Sequence, residues 1–131
     1  MTVLHRALGV LATLLLATAG GHDITITFVR HAQSEGNASG LIDTSVPGPP
    51  LTPLGEQQAK EAAAELIRSP HDGVYASSMI RTQQTAQPFA DELSEQIVVL
   101  PGLREIEAGT FEGQPERDAG FGYLQPLQQW L

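Results

Sequence analysis

The residues best equipped for chemistry stand just after runs that read as β-strands. Arg30 and His31 follow the β-branched run Ile24-Thr25-Ile26-Thr27-Phe28-Val29, Arg81 comes soon after Val74-Tyr75-Ala76-Ser77-Ser78, and Glu105 comes soon after Ile97-Val98-Val99-Leu100. An imidazole nitrogen can attack phosphorus and carry the phosphoryl group as a phosphohistidine, which splits hydrolysis into two steps. A guanidinium holds phosphoryl oxygens with a planar fork that lysine lacks. Stabilising charge on the transferring group is most of the catalytic task in phosphoryl transfer. A lone histidine in a loop is ordinarily solvated, and a lone arginine on a helix is ordinarily exposed. What lifts these residues above that expectation is convergence, since three strand ends each deliver a group that phosphate chemistry needs.

The elements that must position them are legible in outline. Alternation of Ile, Ile and Phe with Thr in residues 24–29 predicts a strand. Residues 36–50 contain Gly36, Gly40, Pro47, Gly48, Pro49 and Pro50 and read as loop. Thr52-Pro53 predicts a helix start, with Thr52 as N-cap and Pro53 at the first helical position. Ala59, Ala62, Ala63, Leu66 and Ile67 then recur at helical spacing, and Ser69-Pro70 ends the helix. Residues 73–76 predict a short strand. Ser77 or Ser78 is expected to cap a helix to Gln87, with Pro88 breaking it and a second piece over Phe89 to Leu93. The continuous apolar run Ile97-Val98-Val99-Leu100 predicts a strand buried on both faces. After Pro101 the chain reads as loop to about Gly122, and Tyr123 to Leu131 as the beginning of a further helix. The order strand, helix, strand, helix, strand predicts an α/β fold with a mainly parallel sheet, whose ligand sits at the carboxyl ends of the strands.

Four segments carry a family resemblance. Arg30-His31-Ala32-Gln33-Ser34 with Asn37 resembles the Arg-His-Gly-x-Thr/Ser-x-x-Asn signature of the histidine phosphatase superfamily, which includes the phosphoglycerate mutases. Leu51-Thr52-Pro53-Leu54-Gly55-Glu56-Gln57-Gln58-Ala59 resembles that family's Leu-Thr-x-x-Gly-x-x-Gln-Ala helix start. The segment from Ser77 through Arg81 to Thr85-Ala86 resembles its Ser-x-x-x-Arg-x-x-x-Thr-Ala stretch, and Leu103 to Gly113 its Leu-x-Glu-x-x-x-Gly-x-x-Glu-Gly stretch. Ala32 replaces the commoner glycine. The resemblance implies a three-layer α/β/α fold of phosphoglycerate mutase type, with His31 as nucleophile and Glu105 as proton donor to the leaving oxygen. Arg30, Asn37 and Arg81 are then the substrate-binding residues: the arginines fork onto phosphoryl oxygens, and Asn37 donates an amide N–H. Guanidinium charge near His31 opposes a second proton on the ring, and attack needs that neutral form. Glu107 and Glu112 read as structural or solvated, and His22 and His71 as solvated.

Composition narrows the rest. The 131 residues suffice for one domain. Seven basic against fifteen acidic residues give a net charge of −8, which argues against nucleic acid as a partner and for a small phosphorylated substrate met by a few local arginines. No cysteine is present, no spacing of His, Asp and Glu suggests a metal site, and no cofactor is implied. His5 and Arg6, the uncharged stretch Ala7 to Ala19 and the small-x-small site Ala17-Thr18-Ala19 read as a signal peptide over residues 1–19. That stretch is shorter than the roughly 18 residues a membrane span needs, so no stable membrane insertion is expected after cleavage. Residues 20–131 would then be the N-terminal portion of a histidine phosphatase domain, secreted or in the cell envelope, or cytoplasmic if the true start lies elsewhere. The oligomeric state is not legible.

One expected piece is absent. The resemblance implies a second pocket histidine, late in the domain in a Ser-His-Gly-like stretch. The sequence holds only His5, His22, His31 and His71, none in such a context. The last part of the domain is thus expected to be missing. Losing one phosphoryl-binding donor of this kind typically costs about a hundredfold to a thousandfold in rate. The leading expectation is a phosphomonoesterase of weak or no activity. Phosphoglycerate mutase-like phosphotransfer and a non-catalytic phosphate-binding or interaction protein are the alternatives.

Overall fold

The computed structural model describes residues 12–16 and 23–119. They fall into two units, one ending at Arg30 and the other beginning at His31. The expected helix over residues 123–131 lies outside the described residues, as does most of the expected leader over residues 1–19.

In the first unit, β1 (Ala12–Leu16) pairs antiparallel with β2 (Ile24–Phe28), placing Leu14 opposite Ile26. The strand expected before His31 therefore forms, but with an antiparallel partner. The two are too close in sequence for a parallel crossover, which takes about a dozen residues or more. Ile24, Ile26 and Phe28 are exposed.

The second unit opens with α1 (Glu35–Ser39), a single helical turn inside the stretch expected to be loop. Ser34 starts it: its Oγ accepts from the Asn37 N–H, and the Asn37 Oδ1 accepts in return from the Ser34 N–H. Gly40 ends it at φ 68°, a left-handed conformation that costs glycine little. Next comes α2 (Pro53–Leu66), capped by the Thr52 Oγ1 accepting from the Gly55 N–H at 3.0 Å. The predicted start is met at both Thr52 and Pro53, and such a cap contributes about 1 kcal/mol. Gly55, Ala59 and Ala63 form its buried stripe.

Between α2 and the next helix runs β3 (Val74–Ala76), paired parallel with β4 (Ile97–Val99) so that Tyr75 lies beside Val98. The helix between these strands, α3 (Ile80–Leu93), is unbroken, with Pro88 inside it. Pro88 removes one intrahelical hydrogen bond. Burial of the adjacent Phe89 and Ala90 against Ala63 and Val74 carries the helix through that loss. Its N-cap is Met79, with no side-chain cap; Ser77 acts two residues earlier, its Oγ accepting from the Met79 N–H.

The core gathers Ala63, Val74, Phe89 and Ala90, with Leu66, Ala86, Leu93 and Ile97 packed around them. It lies on the side of the strands that Val74 and Ala76 face, while Tyr75 between them is exposed. Val98 and Val99 are exposed too, so β4 is not the doubly buried strand its apolar run suggested; among the described residues the helices pack on one face only. Two 3₁₀ turns, Pro101–Leu103 and Gly109–Phe111, follow, and Ile42, Ala108 and Ala119 form a second small cluster. The result is a mixed α/β fold, a small parallel sheet flanked by helices.

Candidate functional site

Backbone clamps from both long helices hold the segment that carries His31. The Ala32 N–H donates to Thr85 Oγ1 on α3 at 3.0 Å, and the Gln33 N–H to Gln58 Oε1 on α2 at 3.0 Å. The Gln33 carbonyl accepts from the Thr52 N–H at 3.0 Å, and Ser34 bridges to Leu51. Leu51 is held in turn by Gln84 of α3, whose Oε1 accepts its N–H at 2.8 Å. The helix start seen in the sequence thus has a specific task. Gly55 is glycine because a Cβ there would stand 2.0 Å from the Gln33 carbonyl oxygen, which no neighbour shift can accommodate cheaply.

On that platform His31 meets Arg81. The His31 Nδ1 lies 2.8 Å from the Ala32 carbonyl oxygen, and the Arg81 Nε–H points at His31 Nε2 across 3.2 Å. A carbonyl only accepts and a guanidinium only donates. The ring is therefore the neutral Nδ1–H tautomer, with its lone pair on Nε2. Thr85 couples the pair further: its Oγ1 accepts from Ala32 while donating to the Arg81 carbonyl at 2.7 Å. Along α3, Arg81, Thr85 and Phe89 lie on one buried stripe that turns from polar to apolar as it passes from the site into the core.

Arg81 is only 5% exposed. Its Nη2 donates to the Asp43 carbonyl at 3.1 Å, while its Nη1 is buried with no hydrogen-bond partner. The three ion pairs among the described residues, Arg68–Glu65, Arg104–Glu107 and Arg117–Asp118, do not include it. A buried cation whose described partners are a neutral ring and a carbonyl is suited to receive an anion.

The wall over Arg81 is the segment 43–48, and it is anchored at both ends. The Pro47 carbonyl accepts from the Ile80 N–H at 2.8 Å. Thr44 and Ser45 donate four groups, two backbone N–H and two hydroxyls, to the Glu112 carboxylate at 2.7 to 3.1 Å. Burial alone would push the Glu112 carboxyl up, but these hydrogen bonds from Thr44 and Ser45 outweigh it and hold the group below the ordinary carboxylate range. Two open depressions, of about 370 and 340 Å³, flank Glu112; His31 and Arg81 line neither.

The remaining expected site residues are placed as follows. Arg30 is exposed and closes the first unit. Asn37 is exposed, its Oδ1 accepting from the Ser34 N–H and Oγ–H. Glu105 is exposed, and its carboxylate accepts from the Ile106 N–H. Sequence reasoning singled out neither Gln58 and Thr85 as clamps nor Glu112 as an anchor, although all three fall inside the segments that carried the resemblance. Among the described residues no group of three or more His, Asp and Glu side chains suits a metal ion, and no helix is long and apolar enough to cross a membrane.

Comparison with known proteins bears on the family and the fold. The chain is 52% identical over 112 residues to the PE-PGRS family protein PE_PGRS11 of Mycobacterium tuberculosis, covering 84% of this chain and 19% of that one. It is 30% identical to phosphoserine phosphatase 1 of Hydrogenobacter thermophilus, covering 82% of this chain and 51% of that protein. Its fold matches the crystal structure of a phosphoserine phosphatase from Entamoeba histolytica in complex with 3-phosphoglyceric acid, with a TM-score of 0.59 and 35% identity over 68% of this chain and 43% of the other. The chain thus spans at most about half the length of these relatives. The sequence profile of the histidine phosphatase superfamily (branch 1) matches residues 26–131, and the chain belongs to that family.

Proposed function

We propose that this chain carries the nucleophile half of a phosphomonoesterase site, with His31 forming the phosphohistidine. The observation that carries the reading is the His31–Arg81 pair, a neutral imidazole whose Nε2 lone pair meets a buried guanidinium. The Nε2 lone pair forms a bond to phosphorus as the ester P–O bond breaks, and Glu105 gives its proton to the leaving oxygen. Water then attacks phosphorus, the N–P bond breaks with its electrons returning to Nε2, and the water proton passes to Glu105. Arg81 moves from Nε2 onto the phosphoryl oxygens, where Asn37 adds a further donor. Small phosphorylated molecules are the substrate class; two of the relatives compared above are named phosphoserine phosphatases.

The placement of Glu105 favours a second reading: it is exposed, with its carboxylate accepting from the Ile106 N–H, and without a proton donor at the leaving oxygen the same site would bind phosphate without efficient turnover. One experiment separates the two. Purified protein is incubated with a radiolabelled aryl phosphate and examined for an acid-labile, base-stable phosphoprotein that disappears in His31→Ala. Labelling with turnover supports the enzyme; phosphate binding without labelling supports the binding protein. We also infer export directed by residues 1–19, which N-terminal sequencing of the protein recovered outside the cytoplasm would test.

A further inference from the structure

Arg81 lies deep in the fold, and its described contacts do not include a carboxylate. Something other than a counter-ion must aim it. The aim comes from the segment 43–48. The Asp43 carbonyl takes the Nη2–H, and Gly48, at φ 71°, lies so close that an added Cβ would stand 2.9 Å from both Nη1 and the Met79 methyl. At its inner end the segment is tied to α3 through Pro47 and Ile80. Between those points, Thr44 and Ser45 turn their backbone N–H and hydroxyl groups outward onto the Glu112 carboxylate. Thr44 is buried, and its Oγ1 also accepts from the Ala108 N–H at 2.8 Å, so the hydroxyl is held on both sides. The backbone N–H and hydroxyl donors of Thr44 and Ser45 all end on the Glu112 carboxylate.

We propose that Glu112 is a positioning residue for Arg81: by binding Thr44 and Ser45 it fixes the 43–48 wall, and that wall aims the guanidinium at His31 Nε2. The arrangement is economical in charge. A carboxylate placed directly on Arg81 would neutralise it and compete with an incoming phosphoryl group. Placed one segment away, the same carboxylate supplies rigidity and leaves the guanidinium charge for the anion. The link to phosphate handling rests on the reading of His31 and Arg81 given above; the link from Glu112 to the pair does not.

The test uses the full chain labelled with ¹⁵N-histidine, as wild type, Glu112→Ala, Glu112→Gln and Arg81→Ala. The His31 Nε2 chemical shift reports the hydrogen bond from Arg81, and inorganic phosphate titration reports the anion site. Glu112→Ala is expected to move the His31 Nε2 shift most of the way to its value in Arg81→Ala and to weaken phosphate binding by about tenfold to a hundredfold, the scale of a small misplacement. Glu112→Gln keeps shape and one acceptor oxygen, so an intermediate change is expected; if the alanine variant does not fold, the glutamine variant alone decides. A His31 Nε2 shift unchanged in a folded Glu112 variant overturns the proposal, whatever happens to thermal stability. Failure of the wild type to bind phosphate would instead count against the phosphoryl reading, and the shift comparison would still decide the role of Glu112.

Discussion

The Nε–H of Arg81 and the Nε2 lone pair of His31 face one another across 3.2 Å, so the guanidinium is hydrogen-bonded to the nitrogen that, on the proposed reading, attacks phosphorus. Arg81→Ala and Arg81→Lys should both lower hydrolysis of a generic aryl phosphate by about a hundredfold to a thousandfold, the usual cost of one oxyanion donor. Lysine restores the charge but neither the Nε–H nor the planar fork. Steady-state rates within tenfold of wild type for Arg81→Lys would sink the assignment.

Thr85 joins α3 to the histidine segment through a single oxygen, accepting from Ala32 and donating to the Arg81 carbonyl. Thr85→Val preserves the shape and leaves the Ala32 N–H without that partner. The expected loss is about 1–3 kcal/mol, read as a lower midpoint in urea at unchanged slope. Thr85→Ser, which keeps the hydroxyl, should recover most of it. Equal stability of the valine and serine variants would contradict the clamp.

Gly55→Ala drives a methyl group to within 2.0 Å of the Gln33 carbonyl oxygen, and the obstacle is backbone. Overpacking of this kind costs about 1–3 kcal/mol or more, and here it should also displace His31. Gly102→Ala is the matched control, because its methyl meets nothing within 4 Å; it should change stability by no more than about 0.5 kcal/mol. Thermal melting of the two variants side by side makes the comparison.

The Glu112 carboxyl is held below its ordinary range in the folded chain. A depressed folded-state value means that the stabilisation from ionised Glu112 is present at and above the ordinary carboxylate range and is lost as pH falls through the lower, folded-state value. Urea midpoints of the wild type should therefore fall more steeply on the acid side than those of Glu112→Gln. Near neutrality the wild type should be the more stable of the two, with the gap narrowing as the solution is acidified. Parallel pH profiles would rule this out.

Local chemistry made α2 legible: a threonine before a proline, then alanines at helical spacing, needs no tertiary help to announce a start and a buried face. The same local reasoning divided α3 at Pro88, because the burial of Phe89 and Ala90 that outweighs a lost hydrogen bond comes from residues in α2 and β3. Apolar composition suggested that β4 was covered twice, but composition reports what a strand can bury, and of this strand only Ile97 packs on the core while Val98 and Val99 are exposed. For the site, residue type pointed to His31 and Arg81 because few side chains suit phosphorus. Gln58, Thr85 and Glu112 stayed hidden for the opposite reason: a glutamine, threonine or glutamate that binds backbone 25, 53 or 67 residues away looks locally like any other polar residue.

The partnerless Nη1 of Arg81 has a practical consequence at the bench. On the reading proposed above, the guanidinium would take up small oxyanions from the solvent as well as substrate, so a phosphate or sulfate buffer would act as a competing ligand. Affinities measured in those salts should come out weaker than in acetate or a zwitterionic buffer, and the size of the difference would itself serve as a titration of the free site.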